Sequence, residues 1–183
     1  LQTTSICCGK SKIDTFIIDI VPVLDPSVYV SVDNASICEG TTANFGATPI
    51  NAGASPTYEW FVNGLSTGAS GNSFNSNTFN DGDAVICTIT SDYICAGQPT
   101  ATSPPITINV NQNPSVSCSA TRLYLGAFTE FEAIPSNGTP PYTYEWDMGD
   151  GGSDTGAIAL HYYGGTGSYD VLVTITDSNG CIG

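Results

Sequence analysis

The chain has 183 residues, with three Lys and Arg against seventeen Asp and Glu, a formal charge of −14. The three basic side chains, Lys10, Lys12 and Arg122, cannot build a phosphate-binding patch, which excludes nucleic-acid binding and electrostatic docking on an anionic membrane. No apolar run reaches the roughly 18 residues of a membrane span, while 40% hydrophobic and 10% aromatic residues are enough for packed cores.

Twenty Gly and eleven Pro, with only 11% charged residues, suit strands and turns better than helices. Seven cysteines are many for a cytosolic chain. None forms a C-x-x-C pair and His161 is the sole histidine, so a zinc site is not expected and a secreted or surface-exposed chain with disulfides is. The chain opens without Met or a signal segment and stops at Cys181-Ile182-Gly183, where another strand is due, so it reads as a piece of a longer polypeptide.

The sequence repeats itself. Tyr58-Glu59-Trp60 recurs 86 residues on as Tyr144-Glu145-Trp146; at that offset Gly40 meets Gly126, Phe45 meets Phe131, Ala47 meets Ala133 and Cys95 meets Cys181. At an offset of 88, Ile6-Cys7 maps to Ile94-Cys95, and Pro26-Ser27-Val28 to Pro114-Ser115-Val116. In chain order, residues 1–24 are then the last strand of one unit, 25–111 a whole unit, and 112–183 a unit without its final strand. Asp25-Pro26 and Asn113-Pro114 mark short junctions with no Gly/Ser tract, which predicts a semi-rigid array.

The whole unit predicts strands over 28–32, 36–38, 42–48, 56–62, 72–79, 84–91 and 104–110. Alternation puts Tyr58, Trp60 and Val62 on one face, and likewise Val85, Cys87 and Ile89, and Ile106, Ile108 and Val110. Asp81-Gly82-Asp83 reads as the turn before the Cys87 strand. A unit of this length with a central Trp, late alternating strands and frequent turns points to an all-β chain of tandem immunoglobulin-like sandwiches joined end to end. Trp60 and Trp146 are the expected core aromatics, with Trp60 beside Cys87; Ala47 holds the position of that cysteine's usual partner, so the antibody-type disulfide is absent.

In the second unit, Tyr144-Glu145-Trp146-Asp147-Met148-Gly149-Asp150-Gly151 resembles the Y-x-W-D-F-G-D-G signature of PKD (polycystic kidney disease) domains. His161-Tyr162-Tyr163, Gly167 to Val171 and Val173 to Asp177 are similar to the family's downstream H-x-Y…G-x-Y-x-V-x-V-x-D pattern, which makes Tyr169 a further structural core position. The first unit has Trp60-Phe61-Val62-Asn63-Gly64 in place of that signature. With Ile37 to Thr42 and Gly82 to Cys87 it resembles the Ig-like and PKD-like repeats of Bacteroidota surface proteins, the SprB-type gliding-motility adhesins among them. The resemblance implies export by type IX secretion and an outer-membrane-attached, cell-surface location.

Asp147, Asp150 and Asp154 are candidate calcium ligands, carboxylates on a Gly-rich turn. Asx turns to local amides account for them equally, and no D-x-D-x-D-G loop is present, so no calcium and no other cofactor is expected. His161 and the pair Glu145 and Asp147 lack a nucleophile or proton-transfer partner, so no catalytic residue and no enzyme activity is expected. Tyr162, Tyr163 and Phe61 are the candidate sugar-stacking aromatics. Asn34-Ala35-Ser36 and Asn137-Gly138-Thr139 fit the N-glycosylation pattern. For the disulfides, the first strand of the second unit neighbours the missing last strand, so Cys118 is expected to pair with Cys181, and Cys38 with Cys87 in preference to Cys95. No partner is assigned to Cys7, Cys8 or Cys95.

These readings combine into non-enzymatic spacer or stalk repeats of a surface adhesin or filament, whose partners are neighbouring repeats of the same chain, with other surface proteins or polysaccharide engaged elsewhere. Two alternatives stand beside it: an accessory module of a secreted glycoside hydrolase or protease, and a glycan-binding module.

Overall fold

The computed structural model describes residues 23–93, 97–121 and 126–183. All of its regular elements are strands. In chain order these are β1 (Ser27–Val32), β2 (Ser36–Cys38), β3 (Ala43–Ile50), β4 (Thr57–Val62), β5 (Leu65–Ser66), β6 (Ser73–Ser76), β7 (Ala84–Thr90), β8 (Thr100–Thr102), β9 (Ile106–Thr107) and β10 (Asn109–Asn111). The second group is β11 (Ser115–Thr121), β12 (Phe128–Ser136), β13 (Thr143–Asp147), β14 (Ser153–Asp154), β15 (Ile158–Tyr162) and β16 (Leu172–Thr176). The fold is all-β, two immunoglobulin-like sandwiches in tandem. The predicted last strand over 104–110 begins only at Ile106, because Pro104 and Pro105 offer no amide to a ladder, and divides at Ile108, where pairing passes from β7 to β2.

In the first sandwich, β1-β3-β6 faces a sheet ordered β5-β4-β7-β8, with β9 also on β7. β1 pairs antiparallel with β3, while β2 pairs in parallel with β10 in a separate two-stranded sheet. The second sandwich repeats this plan with β11-β12-β15 against β14-β13-β16.

Period-2 alternation builds each core. Trp60 on β4, opposite Cys87 on β7, is fully buried among Phe45, Phe79, Val85, Ile89 and Ile108. Trp146 on β13 is buried with Phe131, Met148, Val173 and Ile175. Each indole N–H donates to a glycine carbonyl at 2.9 Å, Trp60 to Gly71 and Trp146 to Gly156. A buried indole needs such an acceptor, and both units supply it from the same turn. Tyr169 departs from expectation. It is half-buried at the rim, stacked on Tyr163 at 4.2 Å with its hydroxyl donating to Gly165 O. The reason is that the ladder of β16 begins only at Leu172, which leaves Tyr169 in the preceding loop.

Trp146→Ala removes the largest side chain of the second core and should cost about 3–5 kcal/mol, most of the stability of an ordinary domain. Thermal unfolding followed by near-ultraviolet dichroism should lose the second transition and keep the first.

Candidate functional site

The acidic turn after β13 spends its carboxylates on its own backbone. Asp147 Oδ1 accepts from Gly149 N at 3.0 Å, and Asp150 Oδ1 from Gly152 N at 2.9 Å. Asp154 Oδ1 accepts from Thr155 N and Oδ2 from Leu160 N. Gly149 has φ +76°, and a side chain there would run into the backbone of Asp170. Among the described residues no three His, Cys, Asp or Glu side chains converge as metal ligands. The Asx-turn reading describes this geometry.

His161 Nε2 lies 2.8 Å from the second oxygen of Asp150. That hydrogen bond, with the Gly152 amide, holds the Asp150 carboxyl below its ordinary range. The His161 ring packs edge-on against Tyr163 at 4.6 Å, and the Tyr163 hydroxyl donates to Met148 O. His161 thus staples the turn to β15, with no nucleophile in its shell of described contacts. Glu145 and Asp147 line a shallow cleft outside β13 and β16 together with Thr174 and Leu172. Glu59 and Thr88 line its counterpart in the first unit. Of the candidate aromatics, Tyr163 and Phe61 are half-buried and only Tyr162 is exposed.

The cysteines are arranged differently from expectation. Cys38 is bonded to Cys181, with Cα atoms 5.5 Å apart, so the bridge joins the two sandwiches. The expected Cys118–Cys181 pair fails because the turn holding Cys181 sits level with Pro114, which crowds against Gly183, whereas Cys118 lies four residues and about 13 Å further along the chain. The expected Cys38–Cys87 pair fails because Cys87 is in the core beside Trp60, while Cys38 ends β2 at the rim facing the second unit. Cys87 and Cys118 are free thiols, the first buried and the second exposed. Burial pushes the Cys87 thiol up to about 11. Cys95, like Cys7 and Cys8, lies outside the described residues.

The disulfide is the centre of a built junction. Glu39 N donates to Asn111 O at 2.9 Å, and Asn113 Nδ2 donates to Glu39 O at 3.2 Å. On the other side Asp177, 5% exposed, receives Asn179 N and Cys181 N on Oδ1 and Thr139 N on Oδ2. Burial alone would raise the Asp177 carboxyl, yet the amides of Thr139, Cys181, Asn179 and Gly180 bring it below its ordinary 3.8. Asp177 thereby fixes the turn that presents Cys181 to the first unit. Gly138, at φ +66°, lets that loop close on Pro114, where a Cβ would meet Pro114 Cβ at 2.9 Å. Sequence reasoning missed the pairing because it sought partners within one unit. The available signal was topological: a β2 parallel to the last strand puts the Cys38 turn at the end where the next unit begins.

Residues 111–183 match the PKD domain family. A stretch of 39 residues, 21% of this chain, is 54% identical to collagenase ColA of Clostridium perfringens and spans 4% of that enzyme's length. Among solved structures, the N-terminal eight Ig domains of Down Syndrome Cell Adhesion Molecule superpose with a TM-score of 0.54 at 8% identity, over 84% of this chain and 25% of that one. The three N-terminal domains of the bacteriophage RB49 outer capsid protein Hoc align at 11% identity and a TM-score of 0.42, over 84% and 54%. The structural likeness concerns the fold alone.

Two outcomes check this geometry. Non-reducing peptide mapping should recover Cys38 joined to Cys181, while a thiol reagent labels Cys118 in the native protein and Cys87 only after unfolding. The Asp177 carboxyl is depressed on folding, so its contribution is complete above the unfolded value near 3.8 and disappears as pH falls through the lower folded value. Acid titration should therefore loosen the junction below about pH 4, and Asp177→Asn should flatten that part of the stability profile.

Proposed function

We propose that this chain is a non-enzymatic spacer, a rigid segment of an extracellular protein that sets the distance between other parts of the same polypeptide. The junction carries this reading. Only Gln112, Asn113 and Pro114 separate β10 from β11, and the link is reinforced by the Cys38–Cys181 bond and by the hydrogen bond from Asn113 Nδ2 to Glu39 O. Such a joint opposes bending, which a spacer needs and an independent catalytic domain does not. The side-chain inventory agrees: the single histidine of the chain is engaged with Asp150.

Two settings fit the spacer. In the first, the units are stalk repeats of a surface adhesin, in the gliding-motility class of Bacteroidota and exported by type IX secretion, with neighbouring repeats as the partners of each unit and its stability close to a sum over units and junctions. In the second, they are an accessory module of a secreted enzyme, a reading favoured by the identity with collagenase ColA. Longer reading frames separate the two: further units of this length belong to a stalk, a neighbouring catalytic domain to an enzyme.

Small-angle scattering should give an elongated particle of nearly fixed length. Cys38→Ser should broaden the distribution of interunit distances while each sandwich keeps its dichroism. A flexible wild-type pair, or hydrolysis of peptide or glycan substrates by the purified chain, would refute the spacer.

A further inference from the structure

We propose that the outer face of the β11-β12-β15 sheet is a docking surface for a protein partner presenting an apolar strand flanked by Lys or Arg. The outward positions of β15 are Ile158, Leu160 and Tyr162, at 59%, 56% and 48% exposure, and Phe128 on β12 is exposed to 61%. Phe128 is opposite Tyr162, with ring centroids 5.8 Å apart. Alternate residues of one strand make this a continuous row about 13 Å long.

The first sandwich shows that the fold does not require the row. Its ladder pairs Asn44 with Asn75 and Gly46 with Ser73, where the second pairs Glu130 with Leu160 and Glu132 with Ile158. Thr42 and Asn77 occupy the positions of Phe128 and Tyr162. The positions of the row are thus polar in one unit and apolar in the other, although Tyr29 and Ile50 are exposed elsewhere on the first unit's face. Exposed apolar residues in a contiguous row mark interaction sites.

Charge selects the occupant. Glu130 and Glu132 stand exposed on β12 beside the row. A second copy would set these carboxylates against their like in a chain of charge −14. A basic partner would neutralise them. The Phe128 and Tyr162 rings are inclined by 57° and continue into aliphatic side chains, which is no flat platform for a sugar. Asp154 Oδ2 takes the Leu160 amide at 3.2 Å on the strand's free edge, so the partner lies on the face and does not extend the sheet. The inference goes beyond the spacer reading, since a spacer needs no such face.

The test uses two peptides of about ten residues, one alternating Leu and Lys and one alternating Ser and Lys, titrated onto the whole chain by calorimetry. The Leu/Lys peptide should bind at least about tenfold tighter than its polar twin. That difference should vanish in a variant carrying the first unit's residues, F128T, I158S, L160N and Y162N, and the affinity of both peptides should fall with E130Q/E132Q. L160N alone should reduce the difference if the fourfold variant does not fold. Equal binding of the two peptides, or a folded variant that binds as the wild type does, would overturn the proposal. So would wild-type self-association that the variant abolishes, or a neutral oligosaccharide that displaces the Leu/Lys peptide.

Discussion

The disposition of the two sandwiches depends on one constraint, the Cys38–Cys181 bond and the turn that presents Cys181 to it. Because β2 runs parallel to β10, the turn after Cys38 and the end of the last strand emerge at the same end of the first unit. The second unit begins there, with its Cys181 turn alongside. The bond then closes a loop of 143 residues, which on the chain-entropy estimate opposes joint unfolding of the units by about 5 kcal/mol. Inside the second unit the Asp177 carboxylate holds the turn that carries Cys181, gathering amides from that turn and from the Thr139 turn beside it.

Within each unit the packing follows from a tryptophan in the third strand of the sandwich, whose polar atom is satisfied at the same place twice. The motif residues around Trp146 serve this core. Asp147, Asp150 and Asp154 shape the turn, and His161 fastens it to β15. Polar satisfaction is complete in this sense: among the described residues no buried side-chain nitrogen or oxygen lacks a partner. A cluster that looks like a ligand set in sequence is thereby consumed as local scaffolding.

The two units share frame and core yet differ where solvent begins. Cys87 fills a core position in the first, inert through burial, and the corresponding position of the second holds Val173. The outward positions that are polar on β6 turn apolar on β15. Repetition therefore accounts for the architecture, and the departures from repetition are where individual function is to be sought.

The sequence by itself determined the all-β class, the two tryptophan cores, the main strands of the first unit from β1 to β7 except β5, and the absence of the antibody-type disulfide. These properties depend on neighbours along a strand and on turn residues such as Asp81-Gly82-Asp83, whose information is local. Exposure of Tyr162 and burial of Tyr163 were half legible, since alternation separates the two faces but does not say which is covered. The cysteine pairing and the rim position of Tyr169 were decided only by the tertiary structure. Cys38 and Cys181 belong to different units, and nothing local to either records which end of one sandwich meets the next. That is settled by strand direction and by the three-residue link from β10 to β11 acting together. A disulfide needs two Cα atoms within a few ångströms of each other, and proximity between units is a property of the assembled pair.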